Sequence, residues 1–380
     1  MKRRAFLLGA ALAASSSAWA AKKKGRPPAK AGKHSGKRVG QESIDFSDLS
    51  ANRLPPVRAA ELPEKWRRFT LSLAIDFPGR AASVTFPLPL AASPAPLLWQ
   101  RVRAIDFSGA ASFAWTRESE GARDALALVW PNGVTSAAHL EYLVETAPRF
   151  LDVSRRTFAP ERADLLRQYA DNSALRDVQE LARTKAREIV GRIVDPVARA
   201  RALFDWVAVN SQYQPELENG GVRDVAPSVA RQLQTGRCSG GSAEICGLFV
   251  ALARALELPA RLIPGLRLIP SYMEVASDAS LSARKHPCEF FCRAEFYAPG
   301  YNWVAVDAAG VCRALRRLAP DTQEADALRR LSFGFWEMNW AAFALAEAFT
   351  LPSTLPFWSE TAEALPAERY RILGAENPAR

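Results

Sequence analysis

Long apolar segments are scarce in this sequence. After residue 20, no stretch reaches the roughly eighteen uncharged apolar residues that a helix needs to cross a bilayer, so we expect no membrane-spanning helix. Acidic residues are absent from positions 1–40, which hold eleven of the 50 lysines and arginines. The rest of the chain therefore has 39 basic and 40 acidic residues. Because this part is nearly neutral, its composition gives no sign of a nucleic-acid-binding surface.

The first twenty residues have the pattern of a signal peptide. A charged start at 2–4 precedes a short apolar run at 5–14, and Ala-Trp-Ala at 18–20 fits a cleavage site. The arginine pair at 3–4 resembles a twin-arginine signal, and an ordinary secretory signal is the alternative. Either signal predicts an exported protein, periplasmic or extracellular.

Residues 21–58 form a basic linker. The lysines, prolines and glycines at its start show no apolar period, so this segment is expected to be disordered. It is either a solvated linker or an electrostatic attachment to anionic envelope polymers or lipids.

The segment 59–155 has the pattern of a small β-sandwich-like domain. Apolar and polar residues alternate over short runs, and turn pairs such as Asn132-Gly133 separate them. The predicted strands are 69–75, 82–88, 97–107, 111–118, 124–130 and 138–146.

Residues 160–380 change to a helical period followed by strands, which predicts an α+β domain with a C-terminal extension. Helices are expected at 175–189, 196–207, 227–235 and 242–257, and strands at 259–267, 289–298 and 301–307. Asp195-Pro196 has the N-cap and first-turn proline of a helix start. The aromatic-rich tail beyond 330 is expected to return strands to the same sheet.

Three segments within the core motifs at 195–310 resemble the bacterial transglutaminase-like family, which is related to papain. They are 202–207, 248–261 and 293–307. The resemblance implies a helical core closed by an antiparallel sheet. It also implies a cysteine, a histidine and an aspartate that carry out acyl transfer or amide hydrolysis through a thioester.

The family's spacing places other residues in two of these three positions. The cysteine position lies seventeen residues before Pro259, which is Ser242. The histidine position lies four residues before Glu295 and sixteen before Asp307, and both counts give Phe291. Serine supplies no thiolate and phenylalanine transfers no proton, so the resemblance predicts a degenerate triad in which Asp307 alone matches.

A second set of residues offers an active alternative. Cys238 follows a glycine-rich stretch and lies four residues before Ser242, and His286 lies five residues before Phe291. On an extended strand this offset is roughly 17 Å and reverses the face, so an active Cys238–His286–Asp307 site requires compensating shifts.

All five cysteines fall within 75 residues around this predicted site. Outside the cytoplasm, such a cluster predicts at least one disulfide, and buried packing is the alternative. A metal site from Cys238, His286, Cys288 and Cys292 fits no strong zinc spacing, so no metal and no cofactor are expected. The five are Cys238, Cys246, Cys288, Cys292 and Cys312.

These patterns favour an exported, non-catalytic transglutaminase-like protein. It would bind a peptide, a protein or a cell-envelope ligand, or act as a scaffold, without nucleic acid as partner. The alternative is a thiol-dependent amidase, peptidase or transglutaminase with Cys238 as nucleophile and His286 as base. A disulfide- or metal-stabilised module is the third hypothesis.

Overall fold

The computed structural model shows how these segments fold. It describes residues 41–45, 66–81, 83–90, 99–108, 112–118, 123–129, 135–151, 156, 158–218, 225–271, 285–318, 322–345 and 357–361. The predicted signal peptide and most of the predicted linker lie outside these residues.

The described elements follow the predicted order of strands, helices and strands. The strands are β1 Gln41–Asp45, β2 Arg67–Ala81, β3 Ser83–Leu88, β4 Gln100–Ser108, β5 Ser112–Glu118, β6 Arg123–Val129, β7 Thr135–Thr146, β8 Ser211–Tyr213, β9 Cys238–Gly240, β10 Ala260–Arg267, β11 Lys285–Pro287, β12 Glu289–Ala298, β13 Asn302–Val306, β14 Trp340–Ala342 and β15 Phe357–Thr361. The helices are α1 Ala163–Ala170, α2 Gln179–Val190, α3 Pro196–Asn210, α4 Ala226–Thr235, α5 Ser242–Ala255, α6 Ala308–Leu315 and α7 Gln323–Ser332, with 3-10 turns at Ser173–Val178 and Pro215–Leu217.

The N-terminal strands form two antiparallel sheets. One has the order β1-β4-β7-β2-β15-β11 and the other β3-β6-β5. Alternate residues on β2 and β7, such as Leu71 and Leu140, are fully buried, as the predicted alternation requires. The Tyr142 hydroxyl on β7 donates to the Pro87 carbonyl on β3 at 3.1 Å, and this bond links the two sheets.

Two features of the larger sheet differ from the sequence-based expectation. Strand β1 lies inside the segment expected to be a disordered linker and pairs with β4. Strands β11 and β15 come from the C-terminal part of the chain, and β15 pairs with β2. Edge pairing uses backbone groups that every residue carries, so it leaves little trace in an apolar pattern.

A third antiparallel sheet, of order β13-β12-β10-β14, closes the C-terminal half. Its strand β14 confirms that the aromatic tail returns to this sheet, although β15 joins the other. Gly265 on β10 makes this pairing possible because a Cβ there would lie 2.2 Å from the Ala341 carbonyl oxygen and 2.6 Å from the Trp340 ring. The Trp340 indole therefore lies against the sheet, where its Nε1 donates to the Phe291 carbonyl at 2.8 Å.

Helix α5 is the centre of this half. Nearly all of its residues are buried, since it packs against α2, α3, α4, α6 and the strands β10 and β12. A helix that is apolar on every side is buried on every side, which explains the absence of an amphipathic pattern in the sequence here. The mixed helix and antiparallel-sheet fold predicted from the sequence is confirmed.

Helix α3 begins as predicted. The Asp195 carboxylate accepts a hydrogen bond from the Ala198 amide at 2.8 Å, and Pro196 occupies the first turn. Among the helices of the described ranges, none combines the length and hydropathy needed to span a membrane.

Candidate functional site

The N-terminus of α5 is built by the glycines that precede it. Gly241 is the N-cap residue and offers no side chain to cap the helix. A Cβ on Gly241 would lie 3.3 Å from the Leu217 carbonyl carbon and 3.4 Å from a Glu218 carboxylate oxygen. The glycine therefore allows the Pro215–Leu217 turn to approach the first turn of the helix.

Ser242 is the first residue of α5 and has no exposed surface. Its backbone amide donates to Glu218 Oε1 at 2.5 Å, and its hydroxyl donates to Glu218 Oε2 at 2.7 Å. The hydroxyl oxygen also accepts the Cys292 amide of β12 at 2.8 Å. Glu218 thus replaces the missing cap, and Glu218 and Cys292 together hold the serine from two sides.

The Glu218 carboxyl has an unusually high pKa for a residue next to a surface turn. Burial raises the pKa of its carboxyl from 4.5 to about 7, although hydrogen bonds from Ser242 and Tyr213 and the charge of Arg267 favour the carboxylate. Tyr213 is itself buried, which raises the pKa of its phenol, and Arg313 Nη1 approaches its hydroxyl oxygen at 3.4 Å. This part of the site is a partly buried acid that accepts hydrogen bonds from neutral donors.

Phe291 occupies the predicted histidine position on β12. Its ring is completely buried, and the Arg267 guanidinium lies 4.1 Å from the ring centroid. The Tyr213 ring is 6.5 Å away between centroids. The side chain at this position therefore packs between an aromatic ring and a cation, and it has no proton to transfer.

Asp307 directly follows β13 and is the N-cap of α6. Its Oδ1 accepts the Gly310 amide at 2.7 Å, and its Oδ2 forms an ion pair with Arg293 Nε at 3.0 Å. The Arg293 guanidinium also donates to the Glu337 carbonyl and to Asn339 Oδ1. The aspartate is thus engaged by a helix end and an arginine.

The structure brings the degenerate set to adjoining elements. Ser242 contacts the residue next to Phe291, and Asp307 lies at the end of the strand that pairs with β12. The catalytic role of these three positions remains a prediction.

The alternative pair lies on two separate sheets. Cys238 is on β9, where it pairs with Ser211 of β8, whereas His286 is on β11, opposite Ser359 of β15. Burial raises the pKa of the Cys238 thiol, which disfavours the thiolate that catalysis would need. The structure does not place the two residues on one sheet, and their shared role also remains a prediction.

All five cysteines are free thiols in the described structure, and the expected disulfide stays a prediction. Cys246 Sγ lies 3.5 Å from the Cys292 carbonyl oxygen, as a weak donor in a packed core. Burial is the main cause that raises the pKa of Cys246, Cys292 and Cys312. These residues fit the alternative of buried packing.

Within the described ranges, no group of three or more histidine, cysteine, aspartate or glutamate side chains is arranged to hold a metal ion.

Sequence reasoning missed Glu218, Tyr213, Arg267 and Arg293 as parts of the site. Arg293 had a usable signal, because it lies two residues after Phe291 and so shares its strand face. Glu218 had none, since it is a loop residue 24 positions from its partner.

The chemistry open to this arrangement is limited by its closure. A hydroxyl next to a carboxylate with a pKa near neutrality could transfer a proton, but Ser242 has no exposed surface. The nearest thiols, Cys246 and Cys292, are buried with raised pKa values. Among the described residues of this site, the Ser242 hydroxyl and the Cys246 and Cys292 thiols are all inaccessible to solvent.

Comparison with known proteins gives the domain a family. Residues 183–308 match the model of the transglutaminase-like superfamily. An uncharacterized protein of Haemophilus influenzae is 32% identical over 178 residues, which are 43% of this chain and 46% of that protein. The match thus spans about half the length of that relative.

Solved structures with low similarity include a proposed cysteine protease from Cytophaga hutchinsonii, with 18% identity and a TM-score of 0.43 over 79% of this chain and 99% of that one. The periplasmic domain of TgpA from Pseudomonas aeruginosa has 15% identity and a TM-score of 0.32 over 78% and 99%. The family model covers the segment that contains Ser242, Phe291 and Asp307. This chain therefore contains a region, residues 183–308, that matches the transglutaminase-like superfamily.

Proposed function

We propose that this chain is an exported, non-catalytic transglutaminase-like protein that binds a peptide, a protein or a cell-envelope ligand, or acts as a scaffold. The observation that carries the proposal is the state of Ser242. Its hydroxyl donates to Glu218, accepts from the Cys292 amide and is buried. A residue bonded on both sides at the nucleophile position favours a structural role.

The rest of the family's machinery supports the same conclusion. Phe291 replaces the proton-transferring group, and the Asp307 carboxylate is committed to Arg293 and to the start of α6. Losing one member of a catalytic triad typically lowers the rate by several orders of magnitude. In this chain, serine and phenylalanine occupy the family's cysteine and histidine positions, and the aspartate is paired with Arg293.

Reactivity tests this proposal directly. The wild-type protein, Ser242→Cys and the double variant Ser242→Cys plus Phe291→His are treated with iodoacetamide near neutral pH, and the modified sites are mapped by mass spectrometry. We expect slow labelling of Ser242→Cys, because position 242 is completely buried and has no neighbouring base. The double variant should label faster, since an added imidazole favours the thiolate.

A serine-directed probe supplies the opposing outcome. A fluorophosphonate should leave wild-type Ser242 unmodified because the side chain is buried and lacks the family's base. Specific labelling of Ser242, or an amidase or amine-incorporation activity lost in Ser242→Ala, would show a catalytic site and overturn the proposal.

The thiol enzyme that uses Cys238 and His286 is tested in the same assays. Its support is the pattern of a glycine-rich stretch before a helix, and its difficulty is the separation of β9 from β11. An activity lost in both Cys238→Ala and His286→Ala, in variants that remain folded, would establish it. Activity retained in either variant would exclude it.

Export is proposed from the signal-like first twenty residues. Sequencing the N-terminus of protein recovered from the cell envelope should give a start after Ala20, and an intact Met1 in a cytosolic fraction would contradict export.

Attachment by the basic segment 21–40 is tested by sedimentation with anionic vesicles, with and without that segment. Equal sedimentation of both forms would place the contact elsewhere.

A further inference from the structure

The segment 214–218 lies across the start of α5, and we call it the strap. At its first residue, the Gln214 amide donates to the Gly240 carbonyl at 2.8 Å. At its last, the Glu218 carboxyl accepts the amide and the hydroxyl of Ser242. Between them, Pro215–Leu217 forms a single 3-10 turn whose three residues are exposed. A short exposed turn thus covers a completely buried serine.

The outer part of the strap is exposed to solvent. Leu217 is about half exposed, although it is a large apolar residue. At the end of the strap, Glu218 is bonded to α5 through the amide and the hydroxyl of Ser242. Segments with few buried apolar contacts are the ones that open locally at low cost in free energy.

We propose that Glu218 is a proton-dependent latch. Its protonated carboxyl group holds the strap over Ser242, and loss of the proton promotes opening of the strap and exposes the start of α5. The titrating group is the one that makes the closing contacts, so the charge state of a single side chain sets access to the site.

Groups on four elements face this carboxyl and determine its charge. They are Tyr213 on β8, Ser242, Glu244 and Cys246 on α5, Arg267 on β10 and Cys292 on β12. Of these, Arg267 is the cation that favours the carboxylate, and burial outweighs it. In the closed strap the neutral acid is favoured, whereas in an open strap water would restore an ordinary carboxyl.

The direction of the effect follows from linkage. The closed form binds the proton with a pKa of about 7, against 4.5 for an ordinary glutamate. Opening should therefore become easier as the pH rises from 4.5 to 7 and then level off. The inference concerns access to the site and stands independently of whether Ser242 performs chemistry.

Hydrogen exchange measures the latch without any activity assay. The full-length protein is exchanged between pH 5 and pH 8, and rates are corrected for the intrinsic pH dependence of exchange. Peptides covering 214–218 and the first turn of α5 should show an opening constant that rises on the order of 10- to 100-fold. Glu218→Gln should remove this rise, and the control Glu216→Gln, which changes an exposed carboxylate in the same turn, should retain it.

Two results would overturn the latch. One is corrected exchange that does not change with pH in the wild type, and the other is the same rise in Glu218→Gln. If Glu218→Gln fails to fold, Ser242→Ala replaces it as the test. Because that variant loses a donor that favours the carboxylate, its midpoint should move to higher pH, and an unchanged midpoint would contradict the latch.

Discussion

The two helices that meet at the site, α5 and α6, both begin beside a carboxylate, but the two carboxylates differ in origin and in partner. Asp307 is the residue just before α6, and it is paired with the buried guanidinium of Arg293. Glu218 reaches α5 from 24 residues away and is held by Ser242 and Tyr213. The carboxylate at the start of α6 is therefore neutralised by the Arg293 cation. The charge of the carboxyl at the start of α5 depends on whether Glu218 holds a proton.

This difference makes one end of the site fixed, and the other is the end that we propose can open. The Arg293 guanidinium is additionally bonded to Asn339 and lies 5.1 Å from the Trp340 ring centroid. It is embedded in the sheet and cannot leave without disrupting the core. Glu218 lies in an exposed turn, where the alternative to burial is immediate contact with water.

The strongest test of the fixed end is removal of its cation. Arg293→Leu leaves Asp307 buried without its ion-pair partner, so we expect a loss of about 3–5 kcal/mol in the free energy of unfolding. Urea denaturation monitored by circular dichroism measures the change. The control is Arg162→Leu, which removes an exposed pair with Asp164 and should change the free energy of unfolding far less.

A loss below about 1 kcal/mol in Arg293→Leu would contradict a fixed ion pair at α6. A double-mutant cycle with Asp307→Asn adds a second criterion. Because the two side chains are in contact, their effects should not be additive. Additive losses would indicate that Arg293 stabilises the sheet without help from Asp307.

The sequence was informative at the fixed end because regular elements have regular spacing. The family's spacing assigned Ser242, Phe291 and Asp307 to the triad positions. The structure has them at the start of α5, on β12 and directly after β13, and their role as a triad stays a prediction. The same rules failed at the other end, because Glu218 lies in a turn with no period. The cysteines show a related limit, since spacing alone does not show that the Cys246 thiol packs against the Cys292 carbonyl in the core.

The strand partners of the C-terminal tail show another limit. Aromatic residues beyond 330 predicted strands, and β14 does join the β10 edge. Strand β15 pairs with β2 instead, and the apolar content of a strand does not specify which edge it joins.

The pH dependence of stability separates the two helix starts in a second way. A carboxyl whose pKa is raised from 4.5 to about 7 in the folded state binds its proton more tightly there than in the unfolded state. Its contribution is thus fully present below pH 4.5 and is lost as the pH rises to 7. For Glu218 the loss should reach at most about 3 kcal/mol.

The difference in unfolding free energy between Glu218→Gln and the wild type isolates this group from the other titrating residues. We expect the free energy of unfolding of Glu218→Gln to rise relative to that of the wild type between pH 5 and pH 8. Urea denaturation at each pH measures the change. A difference that is constant with pH would mean that Glu218 titrates normally in the folded protein.

The smallest expected effect is at α3. Its N-terminus has neither a buried arginine partner, as α6 has, nor a carboxyl from a distant turn, as α5 has. Asp195 is the local N-cap of α3 and accepts the Ala198 amide at the surface. Asp195→Ala should cost about 1 kcal/mol because an amide loses its capping partner. Asp195→Asn should be nearly neutral, since asparagine caps a helix about as well as aspartate. Both changes are measured by urea denaturation near pH 7.

If Asp195→Asn were as costly as Asp195→Ala, the charge itself would stabilise an exposed helix start in this protein. The contrast between α5 and α6 would then reflect a general demand for negative charge at helix N-termini, and burial would no longer be what distinguishes them.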